Sequence, residues 1–302
     1  MSSSTGSQSG AGEGAAAGGG PDLVLVNGRV LAGSHVGVSV LDRGLHYGDG
    51  LFETIASRGG RARFLSLHLE RLAAGCQRLK IALGDLATVR SEIESAIAGT
   101  QAALVKLMVT RGEGRARGYG FSGAEAATRL LFRYAWPGAS SQLPVEGARV
   151  RIANLRLGEN PALAGMKHLN RLEQVLARAE VSSADADELL LFSSSGRLAC
   201  ATMSNVFLVE KGRLKTPRLD LCGVSGVMRR VVLREATRAG IAAEEAILSA
   251  SQLERASEVF VTNARIGIWP VCRIGDRALT PGEITRRLQA LIAPMLDNPV
   301  DA

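Results

Sequence analysis

The stretch NPALAGMKHLNRLEQVLAR, residues 160–178, decides how this chain is read. Asn160-Pro161 opens it as a turn and Gly165 adds backbone freedom, so the segment ahead of Lys167 is not helical. Beyond it, Leu169, Leu172, Val175, Leu176 and Ala179 recur at helical spacing and predict a helix with an apolar face towards the core. Lys167 thus stands between a turn and a helix. A lysine so placed is either a surface charge at a helix start or an amine presented into a cleft. In a cleft, an apolar wall or a neighbouring cation lowers its proton affinity, and the amine can act as nucleophile and then as base.

Upstream, DLVLVNGRVL (22–31) sets Asn27-Gly28 between two apolar runs and predicts a hairpin. Leu65, Leu69, Leu72, Cys76 and Leu79 predict an amphipathic helix from Leu65 to Ile81, with Glu70, Arg71 and Arg78 between them. Ala103 to Thr110 and Thr128 to Ala135 read as strands around RGEGRARGYG (111–120), a Gly-rich segment expected to be a mobile connection. Downstream, 149–155, 189–192, 205–209 and 258–261 read as strands, and 223–239 and 284–296 as helices. Residues 1–20 read as a disordered tail, and PGASSQLP (137–144) as a linker between α/β domains at 21–136 and 145–302. Two mixed α/β domains around a shared cleft is the architecture this order predicts.

The 302 residues are 46% hydrophobic and 22% charged, which excludes wholesale disorder and a membrane bundle and gives an ordinary globular protein. The net charge is +7, yet only five of the 36 basic residues are lysines and no dense basic run occurs. With 4% aromatic residues there is little surface for stacking bases, so no nucleic-acid partner is expected and anionic small molecules remain open. Cys76, Cys200, Cys222 and Cys272 form no C-x-x-C pair and the four histidines no H-E-x-x-H spacing, so no metal is expected and a reducing cytoplasm is. The first twenty residues carry no basic and apolar leader pattern, no apolar run reaches membrane-spanning length, and no membrane partner is expected.

A second feature concerns anions. Gly223-Val224-Ser225-Gly226 precedes a helix, so its N–H groups and the Ser225 hydroxyl can grip an anion at the positive helix end, or Ser225 simply caps that helix. Asn263, at a strand end, is either a further donor or part of a turn.

Five blocks, LDRGLHYGDGLFET (41–54), LHLERL (67–72), the 160–178 stretch, TPRLDLCGVSGVMRR (216–230) and FVTNARIGIWPV (260–271), resemble the class IV aminotransferase family. AGMKHLNRLEQVLA and TPRLDLCGVSGVMR are most similar to its aminodeoxychorismate lyases, over roughly residues 22–298. The resemblance implies a two-domain, mixed α/β, D-amino-acid aminotransferase-like fold with pyridoxal 5'-phosphate in the interdomain cleft. It implies that Lys167 forms the Schiff base, and that Arg71, Val224, Ser225 and Asn263 hold the cofactor's phosphate. Thr54 falls where the lyases have Thr and branched-chain aminotransferases tend to have Gly, which makes it a catalytic candidate. Arg117 and Tyr119 resemble lyase loop residues that meet a substrate carboxylate and ring. The implied activity is elimination of pyruvate from 4-amino-4-deoxychorismate to give 4-aminobenzoate for folate synthesis, by a cytoplasmic homodimer. D-amino-acid or branched-chain amino transfer is the alternative, and a catalytically degenerate cofactor-binding protein is a second.

One position departs from the family. A Glu normally stands five residues before the Asn of the following strand, where it keeps the cofactor's ring nitrogen protonated; counting back from Asn205 gives Cys200, with no acidic residue from Ser193 to Val209. A thiol is a weaker donor than a carboxylate is a partner, and a thiolate beside a cation is the other form it can take. Elimination tolerates this better than amino transfer, because expulsion of a leaving group and aromatisation leave less charge to be stored.

Overall fold

The computed structural model describes residues 19–31, 37–114, 117–136, 143–182, 184–299 and 301. Most of the expected tail and residues 137–142 of the expected linker lie outside them.

The first half runs β1 (Leu23–Val26), β2 (Arg29–Val30), α1 (Arg43–Tyr47), β3 (Gly50–Arg58), β4 (Arg61–Ala62), α2 (Leu65–Leu79), α3 (Leu86–Ile97), β5 (Ala102–Thr110) and β6 (Thr128–Ala135). Its six strands pair antiparallel in the order β2-β1-β6-β5-β3-β4. Asn27 and Gly28 take φ of 48° and 78°, the left-handed pair that a two-residue hairpin requires. Helix α2 lies between two cores. Its Leu65, Leu69, Leu72 and Cys76 pack with Leu51, Ile55 and Val105 of the first sheet, while Leu67 joins Phe207 and Met228 of the second half. Helix α3 starts where Asp85 accepts hydrogen bonds from the N–H groups of Ala87 and Thr88, and it buries Val89, Ile93 and Ile97.

The second half runs α4 (Leu143–Glu146), β7 (Ala148–Leu157), α5 (Leu172–Arg178), β8 (Glu188–Ser193), β9 (Leu198–Ala201), β10 (Asn205–Glu210) and β11 (Arg213–Pro217). It continues with α6 (Val227–Arg238), β12 (Ala243–Ala246), α7 (Ala250–Arg255), β13 (Glu258–Asn263), β14 (Gly267–Ile274), β15 (Arg277–Ala278) and α8 (Glu283–Asp297). The strand order is β12-β11-β10-β13-β14-β7-β8-β9, with β15 beside β14, and the β11–β12, β14–β7 and β7–β8 pairs are parallel. Leu190 and Leu198 from one end of this sheet share a core with Val206 and Leu208 from its middle, so the sheet curls upon itself.

Two expectations change. The helix expected after Lys167 is only α5, because Leu169 stays extended and donates its N–H to the Gly50 carbonyl at 3.0 Å. Its supposed core face points outward, with Leu172, Val175 and Leu176 at 76%, 61% and 60% exposure. In the segment expected to be mobile, residues 115–116 are outside the described set, but the described part is tied down. The Arg43 guanidinium donates to the carbonyls of Gly118, Tyr119 and Gly120 at 3.2, 2.9 and 3.1 Å.

Candidate active site

A cavity of about 770 Å³ opens between the two halves, walled by β3, α2, the segment around Lys167, the β9–β10 turn, the 223–226 loop and the β13–β14 turn. Its cationic lining residues are Arg71, Lys167, Arg171, Arg178 and Arg265; no Asp or Glu lines it among the described residues.

Lys167 sits in a strap stitched to both halves. Its carbonyl accepts from Phe52 N at 2.9 Å, Gly165 N donates to the Gly223 carbonyl and Ser225 N donates to the Gly165 carbonyl, both at 3.0 Å. Gly165 takes φ +79°, which a side chain would strain. Arg78, on α2, donates to the carbonyls of Ala164, Ala162 and Pro161 at 2.9, 2.9 and 3.3 Å and so braces the turn that the sequence placed there. The Lys167 ammonium position lies 4.1 Å from the centre of the Phe52 ring. Burial, then the Arg71 charge, then Arg171 and Lys106 against the opposing pull of Glu53, bring its pKa down to about 7. The geometry therefore provides an amine that is substantially neutral at physiological pH.

Arg71 is fixed by a buried carboxylate. Glu53 accepts from Arg71 Nε and Nη2 at 2.8 and 2.5 Å and shares a 2.6 Å contact with His68 Nδ1. Despite its burial, the Arg71 and His68 partners hold the Glu53 carboxyl down to about 2. Arg71 Nη1 also donates to the Ser225 carbonyl at 2.9 Å, which leaves two guanidinium N–H bonds for a ligand. His68 is fully buried, lines the cavity, and its Nε2 has no partner. The spacing of positions 68 and 71 already puts both on one helix face; Glu53, three residues from Gly50 in the GDGLFET block, was the unread member of the set.

The 223–226 loop supplies the other part of an anion cradle. The N-cap of α6 is Gly226, not Ser225, and no side chain caps it, so the helix start offers open N–H groups beside Val224 and Val227 on the cavity wall. A Cβ on Gly226 would meet Asn205 Oδ1 at 2.0 Å, and Asn205 Nδ2 donates to the Val224 carbonyl at 2.8 Å, so the loop is held against β10. Ser225 itself is exposed, off the cavity lining, and acts through its backbone. Asn263 lines the cavity, but its side chain is spent on its own turn. Its Oδ1 accepts from Arg265 N and Ile266 N, and its Nδ2 donates to the Met203 carbonyl and to Ser204 Oγ.

Thr54 shares the cavity face of β3 with Phe52. Cys200, on β9, lines the opposite wall, where Gly223 approaches closely enough that a Cβ there would lie 3.8 Å from its Sγ. Burial pushes its thiol up to about 12, with the charges of Cys222 and Glu188 adding to the effect and Arg171 opposing it, so it is a thiol and not the thiolate also considered above. Glu188, the buried carboxylate on that side, does not line the cavity; it accepts from Met203 N, Ser204 Oγ and Thr202 Oγ1 and holds the β9–β10 turn. Arg117 and Tyr119 are not brought to the cavity of their own chain. Both are exposed, Tyr119 at 83%, with its ring 5.4 Å from that of Tyr47. Arg171, Gln174 and Arg265, which the sequence reading did not single out, do line it.

The comparisons agree with this geometry. The class IV amino-transferase family pattern matches residues 50–274. An aminodeoxychorismate lyase of Vibrio harveyi is 35% identical over 271 residues, covering 88% of this chain and 98% of its own. The crystal structure of 4-amino-4-deoxychorismate lyase from Pseudomonas aeruginosa is similar with a TM-score of 0.86 and 42% identity, covering 91% of this chain and all of that one. A D-alanine aminotransferase of Bacillus licheniformis is 27% identical over 276 residues, 89% of this chain and 95% of its own. The chain belongs to the class IV aminotransferase family.

Proposed function

We propose that this chain is a pyridoxal 5'-phosphate-dependent 4-amino-4-deoxychorismate lyase that releases pyruvate and 4-aminobenzoate. The observation that carries the reading is the Lys167 amine, its pKa brought down to about 7 in a cavity lined by cations and, among the described residues, by no carboxylate. The similarity to lyases of 35% and 42% identity along nearly the whole chain supports it.

The cavity fits the cofactor. The open N–H groups at the start of α6 and the two spare N–H bonds of Arg71 form an anion-accepting corner, suited to a phosphate. Val224 walls that corner, Ser225 shapes it through its backbone, and Asn263 shapes the neighbouring β13–β14 turn through its side chain. When bound, pyridoxal phosphate supplies an aldehyde that takes an amine and an electron-poor ring that accepts negative charge. Lys167 Nζ would hold that aldehyde and, displaced from it by the substrate amine, would take the proton from the amine-bearing carbon. Loss of that proton with departure of enolpyruvate from the neighbouring C–O bond would leave the ring aromatic, the proton would pass to enolpyruvate to give pyruvate, and Lys167 Nζ, on taking the aldehyde back, would free 4-aminobenzoate. We assign Thr54, which lines the cavity on the same strand face as Phe52, to steady that proton, and the Cys200 thiol to act as a weak donor in place of a carboxylate.

The working form is a homodimer. Leu172, Val175 and Leu176 make an exposed apolar face, with Met203 at 52% exposure on the cavity rim, larger than isolated surface leucines would explain. Arg117 and Tyr119, exposed on a loop whose residues 118–120 are tied to Arg43, serve the site by reaching the cavity of a second copy. The four cysteines are unpaired, in keeping with a cytoplasmic location.

The test is direct: protein loaded with pyridoxal phosphate is given aminodeoxychorismate, and both products are quantified. Equimolar pyruvate and 4-aminobenzoate are expected; neither product at full cofactor loading would reject the reading.

A further inference from the structure

The charge lining the cavity exceeds what one phosphate and one Schiff-base lysine would use. Arg71 is largely answered by Glu53, and Lys167 is substantially neutral. Of the three other guanidinium groups that line the cavity, Arg178 lies in the field of Asp187, whereas Arg171 and Arg265 make no ion pair among the described residues. Arg171, at the start of α5, is half-buried; its Nε donates to the His168 carbonyl at 3.0 Å and its Nη2 to His168 Nε2 at 2.5 Å. Burial holds the His168 ring down to about 4, so it is a neutral acceptor that aims Arg171 without cancelling its charge. Arg265, in the β13–β14 turn, is half-buried against the Trp269 ring at 6.0 Å, and its side chain makes no hydrogen bond or ion pair among the described residues. Beside Arg171, the Gln174 Oε1 is also buried and unpartnered.

Withdrawing a cation from water without an acid is unfavourable, and a ligand anion is what offsets it. The two groups come from separate elements and converge on one cavity, so a ligand that satisfies both carries two separated anionic groups besides the cofactor's phosphate. A planar guanidinium suits a carboxylate at each.

We propose that Arg171 and Arg265 are the two carboxylate anchors of the site, which make it selective for a cyclic dicarboxylate over a monocarboxylate amino acid. The inference rests on the lyase reading for the identity of that dicarboxylate, and it assigns the recognition to residues of the same chain as Lys167. A monocarboxylate amino acid would leave one of the two cations unanswered, whereas aminodeoxychorismate answers both.

The experiment uses the cofactor-loaded protein and chorismate, which keeps both carboxylates and the enolpyruvyl ether but has a hydroxyl in place of the amine and so binds without reacting. Calorimetric affinities for chorismate and for benzoate are compared in wild type, Arg171→Gln, Arg265→Gln and the corresponding Lys variants. Each Gln variant is expected to weaken chorismate at least tenfold and the pair at least a hundredfold. Benzoate should lose affinity in one variant at most, Lys should restore part of the loss, and cofactor stoichiometry should stay at one per chain. With aminodeoxychorismate, KM should rise more than kcat falls. Chorismate affinity within twofold of wild type in both Gln variants overturns the anchors, as does an equal loss for benzoate in both. Should a Gln variant fold poorly, a Lys variant that binds chorismate like wild type while the other position is untouched still supports a charge role, and one that loses all binding refutes it. Failure of the lyase reading has a different signature: wild type binds chorismate through both arginines yet releases no 4-aminobenzoate.

Discussion

At the scale of single residues, the proposed chemistry turns on Lys167 and Cys200, which both line the cavity. With its pKa brought to about 7, mainly by burial and Arg71, Lys167 gains its reactive neutral form as pH rises through that value. The rate at which cofactor-free protein captures pyridoxal phosphate should rise about tenfold per unit below pH 7 and level off above it. A rate still climbing at pH 9 would mean an ordinary lysine. Cys200 is neutral, its thiol pushed up to about 12 by burial. Cys200→Glu should raise side transamination of a common amino acid by about 10–100-fold, if about 1.4–2.8 kcal/mol of barrier is recovered, and change pyruvate release less. Stopped amino transfer against product release in the two proteins distinguishes the cases; equal effects on both reactions would remove the special role of this position.

At the scale of elements, the strap and α2 position the amine. Arg78→Met removes the donors to three carbonyls of the turn before Lys167. Amide hydrogen exchange at 163–167 should quicken at least tenfold while that of β5 is unchanged; a uniform change would indicate general destabilisation instead. Much at this scale was legible in the sequence. The Asn27-Gly28 hairpin, α2, β5, β6 and α8 follow local periodicity and turn chemistry. The fate of the helix after Lys167 was not, because spacing cannot say whether an apolar face meets a core or solvent; here the hydrogen bond from Leu169 N to Gly50 keeps the chain extended and turns Leu172 and Leu176 outward. Helix α3 carries a cap at Asp85 that is legible in the sequence as well. Lys167 and Arg71 were found by their motifs. Arg171 and Arg265 were not, since a charged residue in a loop or at a helix start has no local mark of being buried without a partner.

At the scale of the whole molecule, the halves meet around the cavity, and the exposed apolar face of α5 is the surface on which the proposed dimer is to be tested. Leu176→Glu places a charge on that face and should shift the protein from dimer to monomer in sedimentation, with product release falling as Arg117 and Tyr119 are withdrawn; a dimer of unchanged stability would put the interface elsewhere. The central claim is that a member of a transaminating family here performs elimination. Cofactor-loaded wild type is given aminodeoxychorismate, with and without a 2-oxo acid as amino acceptor, and pyruvate, 4-aminobenzoate and transferred amine are counted in the same sample. Equimolar pyruvate and 4-aminobenzoate, at a rate indifferent to the acceptor and with amine transfer at least tenfold slower, is the result this structure predicts. Amine transfer as fast as pyruvate release, or turnover that requires the acceptor, would contradict it.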